Sequence, residues 1–264
     1  MTIKLGIFDS GIGGFTVLKA LLSTRAGIDV MYLADTKRNP YGDKDLKEIR
    51  LIAIEICNWF KDKDLDAVLI ACNTTNACAL DILRKELGVP TFDLINSVAS
   101  DIALDKVAVL ATSSTVKSLF YKNTIESYSK NVEVLQQPCP EFVDEIEKIP
   151  LNFKRINLLA DIYLKSILDK NIKEIILGCS HYPLIFKILR KKIPKKIRII
   201  DPSISMINKL NNYLPKAIKP GCESISYDNV EFYATSNVGE FALKVKNWLG
   251  ISKKINLVNL RTDT

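Results

Sequence analysis

Residues 67–85, AVLIACNTTNACALDILRK, return in altered form at residues 174–191, EIILGCSHYPLIFKILRK. Each copy opens with a short run of β-branched and aliphatic residues, reaches a cysteine (Cys72, Cys179), and continues as a helix carrying Ile-Leu-Arg-Lys. An apolar run of this length bounded by polar turn residues reads as a buried strand, and the text after it reads as a helix. Upstream, Lys4-Leu5-Gly6-Ile7-Phe8-Asp9 has a counterpart in Lys106-Val107-Ala108-Val109-Leu110. The offsets agree: 102 positions from Lys4 to Lys106, 107 between the cysteines and 106 from Ile82 to Ile188. One unit has been duplicated.

Further elements fill in the first copy. Phe15 to Leu22 has helical spacing, Val30-Met31-Tyr32-Leu33-Ala34 reads as a strand, residues 46–61 as a long amphipathic helix, and Thr91-Phe92-Asp93-Leu94 as a fourth strand. In the second copy a helix is expected from about 156 to 169, and each half closes with a strand carrying an aspartate. After about 207 a strand at Val230–Ala234 and a helix at Val238–Leu249 are expected to pack back on the first half. Alternating strands and helices predict an α/β fold of two similar parallel-sheet α/β domains related by pseudo-twofold duplication. The expected division is 1–97 plus 208–264 for the first domain and 98–207 for the second. Loops at the carboxyl ends of such strands, where both cysteines stand, would face one another across a cleft suited to a small molecule.

The 264 residues, 47% hydrophobic and 25% charged, are enough for real cores and too varied for extensive disorder. No run of about 18 apolar residues occurs and the first residues lack signal-peptide anatomy, so the cytoplasm is the expected location and no membrane partner is expected. A net charge of +7 is spread over helix-like segments and interleaved with acids, which reads as a solvated basic surface rather than a specific nucleic-acid site. Six cysteines are too sparse for a disulfide scaffold and contain no zinc-type CxxC pair. Cys57 and Cys78 read as helix packing residues, Cys139 as a loop residue before Pro140, and Cys222 as surface loop.

Cys72 is followed by Asn73-Thr74-Thr75 and Cys179 by Ser180-His181-Tyr182-Pro183. Polar neighbours at the start of a helix are expected to stabilise a thiolate. His181 is the only histidine, which excludes a multi-histidine metal site and leaves Cys-His chemistry open. The turn Asp9-Ser10-Gly11-Ile12-Gly13-Gly14 follows a strand, but matches neither the dinucleotide fingerprint nor the P-loop. It reads as an active-site loop for a carboxylate.

These residues, with Ala34-Asp35-Thr36, Pro40-Tyr41-Gly42, Cys139-Pro140, Phe142-Val143 and Glu147, resemble the glutamate racemases of the aspartate/glutamate racemase superfamily. The resemblance runs from Gly6 to about Ser203. It implies that Cys72 and Cys179 are the two acid/base residues, Cys72 acting on D-glutamate and Cys179 on L-glutamate, with Asp9 and His181 assisting on either side. It further implies that Ser10, Tyr41, Gly42, Asn73, Thr74 and Ser180 hold the amino acid, joined by Thr112 and Thr115, and that Glu147 orients His181. No cofactor and no metal are implied; the partner is the small-molecule substrate glutamate, a homodimer is the family-level expectation, and the product would feed peptidoglycan synthesis. Two opposed thiols suit inversion, because one base would tend to return the proton to the face it came from. An aspartate racemase with the same thiols, a thiol hydrolase using Cys179 and His181, and an amino-acid-binding protein are the alternatives left open.

Overall fold

In the computed structural model, which describes residues 2–215 and 225–260, the first copy runs β1 (Ile3–Asp9), α1 (Phe15–Thr24), β2 (Ile28–Ala34), α2 (Leu46–Lys61), β3 (Ala67–Ile70), α3 (Asn73–Glu86), β4 (Thr91–Asp93) and α4 (Leu94–Ala99). The second runs β5 (Lys106–Ala111), α5 (Ser113–Lys117), α6 (Phe120–Tyr128), β6 (Glu133–Pro138), α7 (Glu141–Glu147), α8 (Phe153–Leu168), β7 (Glu174–Gly178), α9 (Phe186–Lys192), β8 (Arg198–Ile200) and α10 (Pro202–Tyr213). The chain then returns through β9 (Val230–Ala234), α11 (Val238–Leu249) and β10 (Ile255–Leu257). Cys222 lies outside the described residues. Among those described, no helix is long and apolar enough to cross a membrane.

Every strand pairing is parallel. The first sheet has the order β10-β9-β2-β1-β3-β4 and the second β6-β5-β7-β8. Stripped of the returning strands, the first becomes β2-β1-β3-β4, the order of the second with each strand replaced by its duplicate. The duplication read from two cysteine motifs therefore extends to the whole topology. It reaches the caps too: Asp93 accepts from the Asn96 amide at 2.7 Å to start α4, and Asp201 accepts from the Ser203 amide at 2.9 Å to start α10. These equivalent helices pack on each other, and α10 also reaches α1.

The central strands are apolar on both faces because helices cover both sides of a parallel sheet. Leu5, Ile7 and Phe8 of β1, and Val107 to Ala111 of β5, are fully buried. Helix α2 buries Ile49, Ile52, Ala53, Ile56, Cys57 and Phe60 at helical spacing, and Asp45 caps it by accepting from the Glu48 amide at 2.7 Å. Helix α8 begins at Phe153, three residues before its expected start, because Asn152 caps it by accepting from the Arg155 amide at 3.0 Å. The C-terminal return is anchored by aromatic packing: Phe241 of α11 meets Phe15 at 5.8 Å and Tyr32 at 6.3 Å between ring centroids.

Both sheets reverse their winding at a definite place. The connections from β1 and from β3 leave on opposite sides, and the same holds for β5 and β7, so the two switch points lie at the carboxyl ends of these strand pairs. The residues there are Asp9, Cys72, Thr112 and Cys179.

Candidate active site

Asp9 ends β1 fully buried, and its carboxylate joins the two copies. Its Oδ2 accepts from the Gly11 amide at 2.9 Å, while Oδ1 accepts from the Ser180 hydroxyl of the second copy at 2.8 Å. Burial pushes its carboxyl up, working against the His181 charge and these two donors. The glycines of the following turn are required by close approach. A methyl on Gly13 would collide with Ser180 Oγ and lie 2.6 Å from His181 Nδ1; one on Gly11 would collide with Glu147 Oε1. The Tyr32 hydroxyl donates to the Gly11 carbonyl at 2.9 Å and holds the turn from beneath.

Cys72 follows β3 as the N-cap of α3 and is 4% exposed. Its Sγ is 3.9 Å from Ser10 Oγ. The expectation that helix-start surroundings would favour its thiolate is reversed. Burial, followed by the negative Asp9, pushes the Cys72 thiol up to about 12, while the Thr75 hydroxyl and amide and further charge on Cys179 act as smaller influences. A short cap exerts its field over one turn only, whereas full removal from water penalises the anion everywhere. The strand end itself is held by Asn76, whose Nδ2 donates to the Ile70 and Cys72 carbonyls at 2.8 and 2.7 Å while its Oδ1 accepts from the Leu94 amide.

Cys179 is 5% exposed and stands just past β7. The helix expected directly after it is delayed: a turn and a single 3₁₀ segment, Tyr182–Ile185, come first, and α9 starts only at Phe186. Pro183, which cannot donate a backbone hydrogen bond, sits in that segment. The turn places His181 Nδ1 3.8 Å from Cys179 Sγ. On the far side of the ring, Nε2 meets Glu147 Oε1 at 2.7 Å. An ionised carboxylate only accepts, so Nε2 carries a hydrogen and Nδ1 is left to exchange a proton with the sulfur. Burial works to lower the His181 pKa, but the hydrogen bonds and charges of Cys179 and Glu147 overcome it and raise it well above the ordinary 6.5.

Asn73, Thr74, Thr112 and Thr115 are buried close to the same strand ends. The hydroxyls of Thr74, Thr112 and Thr115 form a triangle with sides of 2.9, 2.9 and 3.4 Å across the two copies. Asn73 Oδ1 accepts from the Tyr121 hydroxyl at 2.7 Å, and its buried Nδ2 and the buried Thr75 Oγ1 have no hydrogen-bond partner among the described residues. Buried donors of this kind are what a ligand carboxylate satisfies. The Gly42 carbonyl accepts from the Ser114 amide at 2.8 Å, and a methyl on Gly42 would press Thr112 at 3.1 Å. Tyr41 is buried with its hydroxyl committed to Asp35, so the phenol serves the loop.

Asp9, Ser10, Cys72, Asn73, Thr74, Thr112, Thr115, Cys179, Ser180, His181 and Glu147 are thus gathered at the two switch points. Cys57 and Cys78 are buried in α2 and α3; Cys139 is buried beside the site, its amide donating to the Ala111 carbonyl at 2.8 Å and its carbonyl accepting from the Tyr182 hydroxyl at 2.9 Å. Sequence reasoning missed Thr75, Asn76, Asn39, Tyr121 and Lys244. Thr75 and Asn76 stand in the quoted cysteine motif and were open to inspection; the other three carry no local signal.

The profile of the Asp/Glu/Hydantoin racemase family matches residues 18–229. A glutamate racemase of Prochlorococcus marinus (strain NATL2A) is 46% identical over 259 residues, covering 98% of each chain, and one of Synechococcus sp. (strain CC9605) is 37% identical over 96% of each. The crystal structure of glutamate racemase from Francisella tularensis in complex with D-glutamate superposes with a TM-score of 0.88 at 32% identity, covering 98% of both chains. Likeness sustained from end to end, in sequence and in fold alike, makes this chain a member of the Asp/Glu/Hydantoin racemase family, among its glutamate racemases.

Proposed function

We propose that the chain interconverts L- and D-glutamate by two-base proton transfer at the α-carbon, with Cys72 and Cys179 as the acid/base pair. The observation that carries this reading is the placement of two buried thiols at equivalent strand ends of the duplicated sheets, each with its own polar escort. Cys72 takes the α-proton of D-glutamate while Cys179 delivers one to the opposite face, and the roles exchange for L-glutamate. Asp9 attends the Cys72 side. His181, oriented by Glu147, attends Cys179, with Nδ1 as the atom that takes or returns the proton.

The α-proton is weakly acidic, so a strongly basic sulfur is an asset once it is ionised. Burial that holds the Cys72 thiol near 12 makes that sulfur such a base. To act as a base the thiol must first give up its proton, and Asp9 beside it, whose carboxyl burial pushes up, is the group that takes that proton. Fixed donors in a dry cleft then stabilise carbanion character on the substrate; Asn73 Nδ2, Thr75 Oγ1 and the threonine triangle supply them. Ser10, the Tyr41-Gly42 loop and Ser180 complete the binding shell. No cofactor is required by this scheme, since both protons move through side chains.

We divide the chain into 1–97 with 208–264, and 98–207, the cleft running between them, and place the protein in the cytoplasm as a homodimer whose product serves peptidoglycan synthesis. The test of the reaction is the circular dichroism of D-glutamate incubated with purified protein and no added cofactor, alongside Cys72→Ser, Cys179→Ser and an aspartate control. Decay to zero with glutamate, lost in both variants and slower with aspartate, is the expected result. A flat trace from folded protein that binds glutamate tightly would overturn it.

A further inference from the structure

Glu147 stands where four segments of the chain meet. Its Oε1 receives His181 Nε2 at 2.7 Å, Asn39 Nδ2 at 2.9 Å and the Ile12 amide at 3.2 Å. Its Oε2 receives the Lys244 ammonium at 2.9 Å. Lys244 belongs to α11, in the segment that returns from the second copy, and its side chain is only 12% exposed. Its other partner is Glu240, one turn earlier at 2.8 Å and 56% exposed.

An ammonium this far out of water needs a reason beyond a surface ion pair, which Glu240 alone would supply at lower desolvation cost. The carboxylate supplies one. Three donors converge on Oε1, an oxygen with two lone pairs, and the terminal torsion of a glutamate is soft and nearly two-fold. Left free, Oε2 would compete for one of those donors and the bond to His181 would wander. An ammonium on Oε2 removes that freedom. Helix α11 is itself immobilised by Phe241 against Phe15 and Tyr32, so the position of Lys244 is set by the aromatic core.

We propose that Lys244 is a positioning residue of the racemase site, clamping Glu147 in the rotation that directs Oε1 to His181 and so keeps Nδ1 on the Cys179 sulfur. This rests on the reading of Cys179 as an acid/base residue. The groups facing the His181–Glu147 pair are Asp9 from β1, Tyr32 from β2, Cys179 after β7, and Lys244 with Glu240 from α11. Glu147 and Lys244 line one wall of a cavity of about 560 Å³, with Asp144 and Lys148 beside them.

A clamp and a bare charge predict opposite responses. Removing a nearby cation by itself favours the imidazolium and raises the His181 pKa, whereas letting the Glu147 anion swing away lowers it. Because His181 is the only histidine, its ring signals are unambiguous in a ¹⁵N NMR titration. The experiment combines that titration with kcat and KM for both enantiomers in Lys244→Met, Lys244→Arg, Glu147→Gln and the Lys244→Met/Glu147→Gln double variant. The clamp predicts that Lys244→Met lowers the His181 pKa by about one unit and kcat by about tenfold, with KM changed by less than about threefold. Lys244→Arg restores most of the rate, and adding Lys244→Met to Glu147→Gln costs less than about twofold.

A His181 pKa that rises or stays put in Lys244→Met, or an equal loss in both backgrounds of the cycle, would overturn the clamp. Should Lys244→Met not fold, Lys244→Gln takes its place with the same readings. Wild-type protein that fails to racemise glutamate overturns the proposed reaction instead, and the titration still reports on the clamp because it needs no turnover.

Discussion

Replacing Glu147 by glutamine preserves its volume and removes its charge. Burial works to raise the Glu147 carboxyl, but the hydrogen bond and charge of His181, joined by the Lys244 ammonium, outweigh it and hold the group at about 2, below its ordinary 4.5. A displacement of that size corresponds to about 3 kcal/mol of stability. The sign follows from the depressed value: the contribution is fully present above the unfolded pKa near 4.5 and is lost as pH falls through about 2. The raised values of His181 and Lys244 express the same interactions seen from the other side and are not added again.

Glu147→Gln is therefore expected to lose about 2–3 kcal/mol at pH 7, a fall in Tm of roughly 4–10 °C for a chain of this length. Urea unfolding of wild type and variant, repeated from pH 7 to pH 3, measures it. The gap should shrink to about half by pH 3, because the unfolded carboxylate is protonated there while the folded one is still mostly ionised. A gap under about 0.5 kcal/mol at pH 7, or one as large at pH 3 as at pH 7, would refute the account of Glu147 as a carboxylate stabilised by His181 and Lys244.

Three other outcomes are expected. Gly13→Ala drives a methyl into Ser180 Oγ and His181 Nδ1, so kcat/KM for glutamate should fall roughly 100-fold while Tm drops by only a few degrees; a rate within about threefold of wild type contradicts the close approach. Asp35 is fully buried and accepts from Arg38 Nε and Thr235 Oγ1, both at 2.7 Å, as well as from Tyr41. Asp35→Asn should loosen the Tyr41-Gly42 loop and raise KM roughly tenfold with a smaller change in kcat, read from initial-rate curves. In the absence of substrate, Cys72 should react with iodoacetamide at pH 8 roughly 1000-fold more slowly than a free cysteine, since burial holds its thiol at about 12; mass-spectrometric labelling at the free-thiol rate would contradict this.

What the sequence by itself determined is the duplication and its consequence. Two strand-helix units with cysteines at matched offsets require two parallel sheets, and parallel sheets place their loops at the carboxyl ends of strands. Asp9, Cys72, Cys179, Ser180 and His181 were legible because each follows directly on an apolar strand. Strand β6 and helices α5 to α7 were not, since Glu133–Pro138 is half polar and the helices are only 5 to 9 residues long, too short to show a clear period.

Only the tertiary structure decided the charge states and the alignment of the acid/base groups. The polar neighbours of Cys72 pointed to a stabilised thiolate, but the cost of desolvation depends on every atom that excludes water from the sulfur, and those come from both halves of the chain. Lys244 is 97 positions from Glu147 and lies in an ordinary amphipathic helix. It reaches the carboxylate because Phe241 docks α11 on the aromatic core beneath the glycine turn, a contact between distant segments that no local pattern encodes.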